Sequence, residues 1–233
     1  MIVVVGLAAL RTTPAGSGEA VGTAPDIAAA AVADGAAVEI VTKVGEDGAG
    51  EELLLALGRA GIGHLAALRD ATRPTSLATA VDEPSEDDFG LASMLLAEGE
   101  SATPLSPDGA PPPLLPEPST AVILEPADVA LGLQYLRDYR VLVAVEPLGD
   151  SGAAVVVEAA SFAGATLVVV VQPGDAVPAA YATATLLEAP ADDRDGAFGG
   201  LVGRYAAALD RGTAPAEAFH AAASAGGWEA AAG

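Results

Sequence analysis

The stretch Asp26–Gly50, DIAAAAVADGAAVEIVTKVGEDGAG, decides how this chain is read. Its first part, Asp26 to Ala33, is almost wholly alanine and aliphatic and predicts a helix. Val38 to Thr42 is a run rich in β-branched residues bounded by small and charged ones. Such a run, without polar alternation, reads as a strand buried on both faces, as in a parallel sheet. The glycine- and acid-rich turn Gly45-Glu46-Asp47-Gly48 follows, and a second helix is predicted from Gly50 to Ala60. Helix, strand and helix in succession are the repeating unit of a layered α/β fold.

The same alternation extends outward in both directions. Further strands are predicted at Ile2 to Val5, Ala121 to Leu124, Val141 to Val145 and Leu167 to Val171. Further helices are predicted at Pro126 to Tyr139, Ala153 to Phe162 and Ala197 to Leu209. Two helix starts carry their own signals. Glu125-Pro126-Ala127-Asp128 puts proline and acid in a first turn, and Thr213-Ala214-Pro215-Ala216-Glu217 resembles a capping arrangement before a last helix. The span Asp82 to Ser119 breaks the pattern. It is rich in proline, acid and small residues, and reads as an excursion or linker with one short helix around Phe89 to Ala97.

Composition narrows the function. The 233 residues carry 32 acidic against 10 basic side chains, a formal charge of -22. That field repels phosphate backbones and anionic lipid, so neither nucleic acid nor membrane is expected as a partner. Apolar residues make up 52% and aromatics only 4%, so the core is built from Ala, Val and Leu and offers few rings for stacking bases. With no cysteine, disulfides, thiolate metal sites and a thiol nucleophile are excluded. Met1 to Gly6 lacks the basic leader and long apolar stretch of a signal peptide, and Leu167 to Val171 is too short to span a bilayer. The expectation is a cytoplasmic protein forming a single domain over 1–233.

The order of motifs resembles the ribokinase (PfkB) family of carbohydrate and nucleoside kinases. Members typically read Asn-x-Ala-x-Ala-x-Ala-x-Leu-Gly-Ala, a strand, Gly-x-Val-Gly-Asp-Asp-x-x-Gly, and a helix ending in Gly-Val or Gly-Ile. Asp26 to Gly50, continued to Gly61-Ile62, follows that order and spacing. Arg73-Pro74-Thr75-Ser76 is similar to the family's Pro-Thr-Gly segment. Gly196-Ala197-Phe198, Tyr205 to Gly212 and Ala216 to Phe219 resemble the helix pair around its catalytic turn. The resemblance implies an α/β/α sandwich on a mostly parallel sheet, here with a reduced lid from segments around 9–24 and 72–83. It also implies a sugar or nucleoside ligand; members of the family often form a homodimer through the lid sheet, and the shortened lid here leaves that pairing open.

The residues that perform phosphoryl transfer in that family are altered. There a Gly-Ala-Gly-Asp turn opens a helix whose N–H groups form an anion hole, and the Asp takes the proton of the acceptor hydroxyl. Here Gly196 stands at the position of that base, preceded by Asp192, Asp193, Arg194 and Asp195. Carboxylates at a helix N-terminus satisfy its N–H groups and repel a phosphate. The Asp that holds sugar hydroxyls in the family is replaced by Arg11. The Gly-Gly-x-x-Asn substrate loop becomes Val21-Gly22-Thr23-Ala24-Pro25-Asp26. The sequence contains no Asn, so the family's Asn-x-x-Glu motif is absent in its usual form. After Glu146-Pro147, one helix and one strand are expected before the Asp192 region.

Three readings follow. The first is a degenerate ribokinase-like protein that binds a small molecule or another protein, with Arg11, Gly22 and Asp26 as substrate-site residues. The second is a minimal active kinase in which Asp193 or Asp195 supplies the base; ATP and Mg2+ belong to this reading alone. The third is a repurposed reaction in the old substrate cleft, using Arg11, Asp26 and the acidic turn. Other features carry less. Gly16 to Gly22 lacks the Gly-Lys-Ser/Thr of a phosphate loop, and His64 and His220 have no visible metal or triad partner. Glu46 and Asp47 suit a structural turn, and Trp228 a core anchor.

Overall fold

The computed structural model describes residues 1–13, 17–78, 121–145, 147–190, 193 and 196–227. Met1–Ala78 and Ala121–Gly233 belong to one compact unit, and Thr79–Thr120 to a second. The second unit lies outside the described residues, and with it the predicted excursion at 82–119, its helix at 89–97, and part of the lid segment at 72–83. Asp192, Arg194, Asp195 and Trp228 lie outside them as well.

The elements run β1 (Ile2–Val5), β2 (Ala9–Thr12), β3 (Gly18–Val21), α1 (Thr23–Ala33), β4 (Val38–Gly45), α2 (Gly48–Arg59) and β5 (Gly63–Asp70). After the excursion come α3 (Pro126–Gln134), β6 (Val141–Ala144), α4 (Gly149–Ala163), β7 (Thr166–Val171), a 3-10 turn (Ala179–Thr183), β8 (Thr185–Glu188), α5 (Ala197–Asp210) and α6 (Pro215–Ala225). Six strands form one sheet in the order β5-β4-β1-β6-β7-β8, every pair parallel.

The burial of this sheet explains its sequence. Ile2 and Val4, Val141 and Val143, and Val168 and Val170 point into one core, together with Ile27 of α1 and Phe198, Val202 and Tyr205 of α5. Val3 and Val5, Leu142 and Val169 point into the other, against Val129 of α3 and Val156 of α4. Both faces are dry, so no polar alternation is tolerated. The result is a three-layer α/β/α sandwich.

Sequence and structure part at four places. Ala121 to Leu124 is not a strand: Val122 N–H donates to the Pro74 carbonyl at 3.2 Å, which ties the segment to the chain after β5, and it then leads into the α3 cap. There Glu125 N–H donates to Asp128 Oδ2 at 2.9 Å. β5 was not predicted, because Gly63-His64-Leu65-Ala66-Ala67-Leu68 lacks β-branched residues; its pairing to β4 overrides that weak propensity. β8 likewise adds a second strand between α4 and the α5 turn, where one was expected. The last helix starts with Ala214 as its cap and Pro215 in the first turn, with no side-chain cap bond from the threonine side.

The reduced lid is visible as an antiparallel pair, β2 with β3, separate from the main sheet. Leu77 adds an isolated parallel bridge to Leu10. No helix among the described residues is long and apolar enough to cross a membrane.

Candidate functional site

In an open parallel sheet the natural crevice lies beyond the carboxyl ends of two neighbouring strands whose connections leave in opposite directions. Here those strands are β1, whose chain leads to β4 on one side, and β6, whose chain leads to β7 on the other. Three segments converge on this end: the β2–β3 hairpin, the start of α1 and the start of α5.

Each is held there for a local reason. Gly22 precedes α1 with φ 119°, a conformation that favours glycine, and its carbonyl accepts the Asp26 N–H at 3.0 Å. Asp26 therefore sits one turn into α1. Arg11 on β2 stands opposite Glu19 on β3, and their side chains pair at 2.8 Å. Gly196 precedes α5 with φ 65°. Helices α1 and α5 pack closely because α5 presents Gly199 and Gly203 to α1. A Cβ on Gly199 would lie 2.7 Å from the Asp26 Cβ, and one on Gly203 2.6 Å from the Ala30 Cβ.

That close packing brings the start of α5 against Asp26. A Cβ on Gly196 would lie 3.5 Å from Asp26 Oδ2. Asp193 folds back over the helix start, where its Oδ1 accepts the Phe198 N–H at 2.9 Å and its carbonyl accepts the Gly196 N–H at 3.2 Å.

No protein-family model matches this sequence, and no curated protein matches it. Solved structures do. The chain is similar to a PfkB protein from Polaromonas sp. JS666, with a TM-score of 0.59 at 16% identity over 97% of this chain and 94% of that one. It is similar to Arabidopsis thaliana ribokinase complexed with ribose and ATP, with a TM-score of 0.54 at 14% identity over 97% and 90%. Phosphofructokinase-2 from Escherichia coli, in complex with fructose-6-phosphate, gives 0.55 at 14% identity over 97% and 92%. The fold is ribokinase-like.

Within this ribokinase-like fold, Arg11, Gly22, Asp26, Asp193 and Gly196 all fall at one end of the sheet. Asp195 lies outside the described residues. The electrostatics of the group centre on Asp26. Burial pushes its carboxyl up, Asp193 pushes it further, Arg11 pulls it down and Glu19 adds to the rise, leaving it at about 6. The sequence does not mark Glu19, because Gly16 to Gly22 reads as a flexible glycine loop. A hairpin reading would have exposed it, since antiparallel pairing sets Glu19 across from Arg11.

The turn at Glu46-Asp47 serves a different purpose. Asp47 Oδ1 accepts from Gly50 N–H and Thr75 Oγ1, both at 2.7 Å, and Oδ2 accepts from Thr75 N–H at 2.9 Å. Thr75 Oγ1 in turn accepts the Gly45 N–H at 2.9 Å. The carboxylate thus caps α2 and ties β4 to the segment after β5. Among the described residues no group of three or more His, Asp or Glu side chains is arranged to hold a metal ion.

Proposed function

We propose that this chain is a degenerate ribokinase-like protein, without ordinary phosphoryl transfer, whose cleft at Arg11, Gly22 and Asp26 binds a small polar molecule of the sugar or nucleoside class. One observation carries the reading: the Asp193 carboxylate accepts the Phe198 N–H at the start of α5, beside a Gly196 that has no side chain. Phosphoryl transfer at a helix terminus needs free N–H donors for the phosphate and a carboxylate for the acceptor proton. Here a donor already serves an anion, and the position of the base is bare.

ATP and Mg2+ are the groups such a fold implies, and the described residues do not fit them. A phosphate placed at this terminus would approach the Asp193 and Asp26 carboxylates. Two like charges about 4 Å apart repel by about 4 kcal/mol at the effective dielectric of a protein surface. A neutral polyol meets no such barrier, because hydroxyls donate to carboxylates and accept from Arg11. The similarity to structures that hold ribose or fructose-6-phosphate supports the cleft as the binding place.

The test is a thermal-shift screen of sugars and nucleosides, each with and without Mg-ATP, alongside a coupled ADP-release assay. The expected result is a rise in Tm with one ligand class, independent of Mg-ATP, and no ADP release. ATP-dependent phosphorylation at about 1–100 s-1 would overturn the reading.

A second reading, a repurposed reaction in the same cleft, is favoured by the Asp26 carboxyl alone. A group at about 6 exchanges protons near neutral pH, which suits general acid–base work. It predicts a turnover limb near pH 6 that vanishes in Asp26→Asn. A kinase using Asp193 as base is disfavoured, because that carboxylate is engaged by the backbone of its own helix.

A further inference from the structure

Beyond the carboxyl ends of β6 and β7 the chain holds a cavity of about 180 Å³. It lies between the start of α4, the last residues of β7 and the 3-10 turn Ala179–Thr183. Leu148, Val169 and Tyr181, three of its lining residues, belong to the core beneath α3 and α4. The cavity is therefore separate from the cleft at Asp26, which α1 and α5 build over the other core.

Two features of this cavity point to a ligand. Tyr181 is 4% exposed, and among the described residues its hydroxyl has no hydrogen-bond partner. A buried hydroxyl left unpaired is destabilising and calls for an acceptor. Burial pushes the phenol up, so it stays protonated and can donate. The second feature is the start of α4, a helix of 15 residues with no side-chain cap. The Leu148 carbonyl accepts the Gly152 N–H, so the N–H groups of Gly149, Asp150 and Ser151 have no partner within the helix. The other walls include the apolar Pro147, Val171 and Pro178, and Asp175 supplies a carboxylate. Gln172 N–H donates to Asp175 Oδ2 at 3.4 Å and Asp175 N–H to the Gln172 carbonyl at 3.1 Å, a turn that holds this carboxylate in place.

We propose that this cavity binds a small zwitterionic α-amino acid with an apolar side chain. Its carboxylate accepts from the Tyr181 hydroxyl and the first N–H groups of α4. Its ammonium donates to Asp175, and its side chain packs against Val171 and Pro178. A ligand with one charge fits poorly. A lone carboxylate is repelled by Asp175 and by the formal charge of -22, and a lone ammonium faces the positive end of α4. A zwitterion has no net charge and uses both ends. Size narrows the choice: at about 30 Å³ per water, the cavity takes about six water-sized groups, which suits alanine or proline and excludes aromatic amino acids.

Calorimetric titration and thermal shift of the full chain with L-alanine, L-proline and L-valine test the proposal. At about ten times Kd the bound amino acid raises Tm by about 4 °C. Propionate and isopropylamine, which carry one charge each, and L-tryptophan, which is too large, give no shift. Tyr181→Phe weakens binding about tenfold and raises the Tm of the ligand-free chain, which loss of a structural hydrogen bond would not do. Asp175→Asn weakens binding as well. Ala176→Phe, at an exposed position in the cavity wall, fills the space and abolishes binding. The proposal is overturned if none of the three amino acids binds at roughly 50 mM. It is equally overturned if propionate binds as well as alanine, or if Tyr181→Phe leaves binding unchanged.

Discussion

Two acidic regions lie at the carboxyl end of the same sheet, and they are built on opposite principles. Around β4 and β5 the acids are given donors. Asp47 takes three hydrogen bonds, and Lys43, the single lysine of the sequence, joins Asp128 at 3.0 Å and Asp70 at 3.3 Å. Burial raises the Asp47 carboxyl, but the bonds from Thr75, Gly50 and Ala49 outweigh it and hold the group below its ordinary value. Asp70 is held low as well, first by the Thr72 hydroxyl and N–H and then by Lys43. Around α1 and α5 the acids are given each other. Asp26 faces Asp193 and Glu19 with Arg11 as the opposing charge, and Arg11 is itself paired with Glu19. The first arrangement stabilises a fold; the second costs stability at neutral pH.

Breaking the first region is expected to have the largest effect. Lys43→Met leaves Asp70 and Asp128 without their shared cation and is expected to lower the midpoint of urea unfolding more than any other single change in this region. Asp47→Ala removes the α2 cap and leaves the buried Thr75 hydroxyl short of an acceptor, for about 2 kcal/mol by the same measurement.

In the second region the sign reverses. Asp26→Asn is expected to raise Tm at pH 7.5 by the equivalent of about 1 kcal/mol, the modest size reflecting solvent screening of a half-exposed group. The pH dependence sharpens the contrast. Asp26 has a folded pKa of about 6 against an ordinary 3.8, so its contribution is most favourable below 3.8 and is lost as pH rises through about 6. Asp47 lies below 3.8 when folded, so its contribution is complete above that value and is lost as pH falls through the acid range. Melting curves from pH 3 to 8 should show the acid loss in the parent and in Asp26→Asn alike. The loss between about 4 and 6 should be confined to the parent. The smallest effect is expected from Arg11→Gln, which removes the opposing charge and moves the Asp26 carboxyl further up in a carbon-13 NMR titration. The shift is limited because Arg11 is exposed and already paired.

Much of the first region was legible in the chain. Gly45 to Gly50 spells a turn into a helix, and Arg73-Pro74-Thr75 marks the segment that Asp47 binds. The cleft was legible only in part. Arg11, Gly22, Asp26, Asp193 and Gly196 could be named by position within a motif order, yet nothing local reveals that Asp26 lies against Gly196. That contact depends on Gly199 and Gly203 drawing α5 onto α1, residues far from Asp26 in sequence.

By itself the sequence determined the layered α/β architecture. Buried β-branched runs such as Ile2–Val5 and Val141–Ala144 have no stable alternative to a sheet covered on both faces, and the alanine-rich stretches between them supply the covers. Tertiary structure decided what weak local preference left open. It made a strand of Gly63–Asp70, whose residues favour it little, and tied Ala121 to Leu124 to the chain after β5 through the Val122 N–H bond to the Pro74 carbonyl. It also set the Asp26 carboxyl near 6, since burial and the approach of Asp193 depend on distances that no run of neighbouring residues encodes.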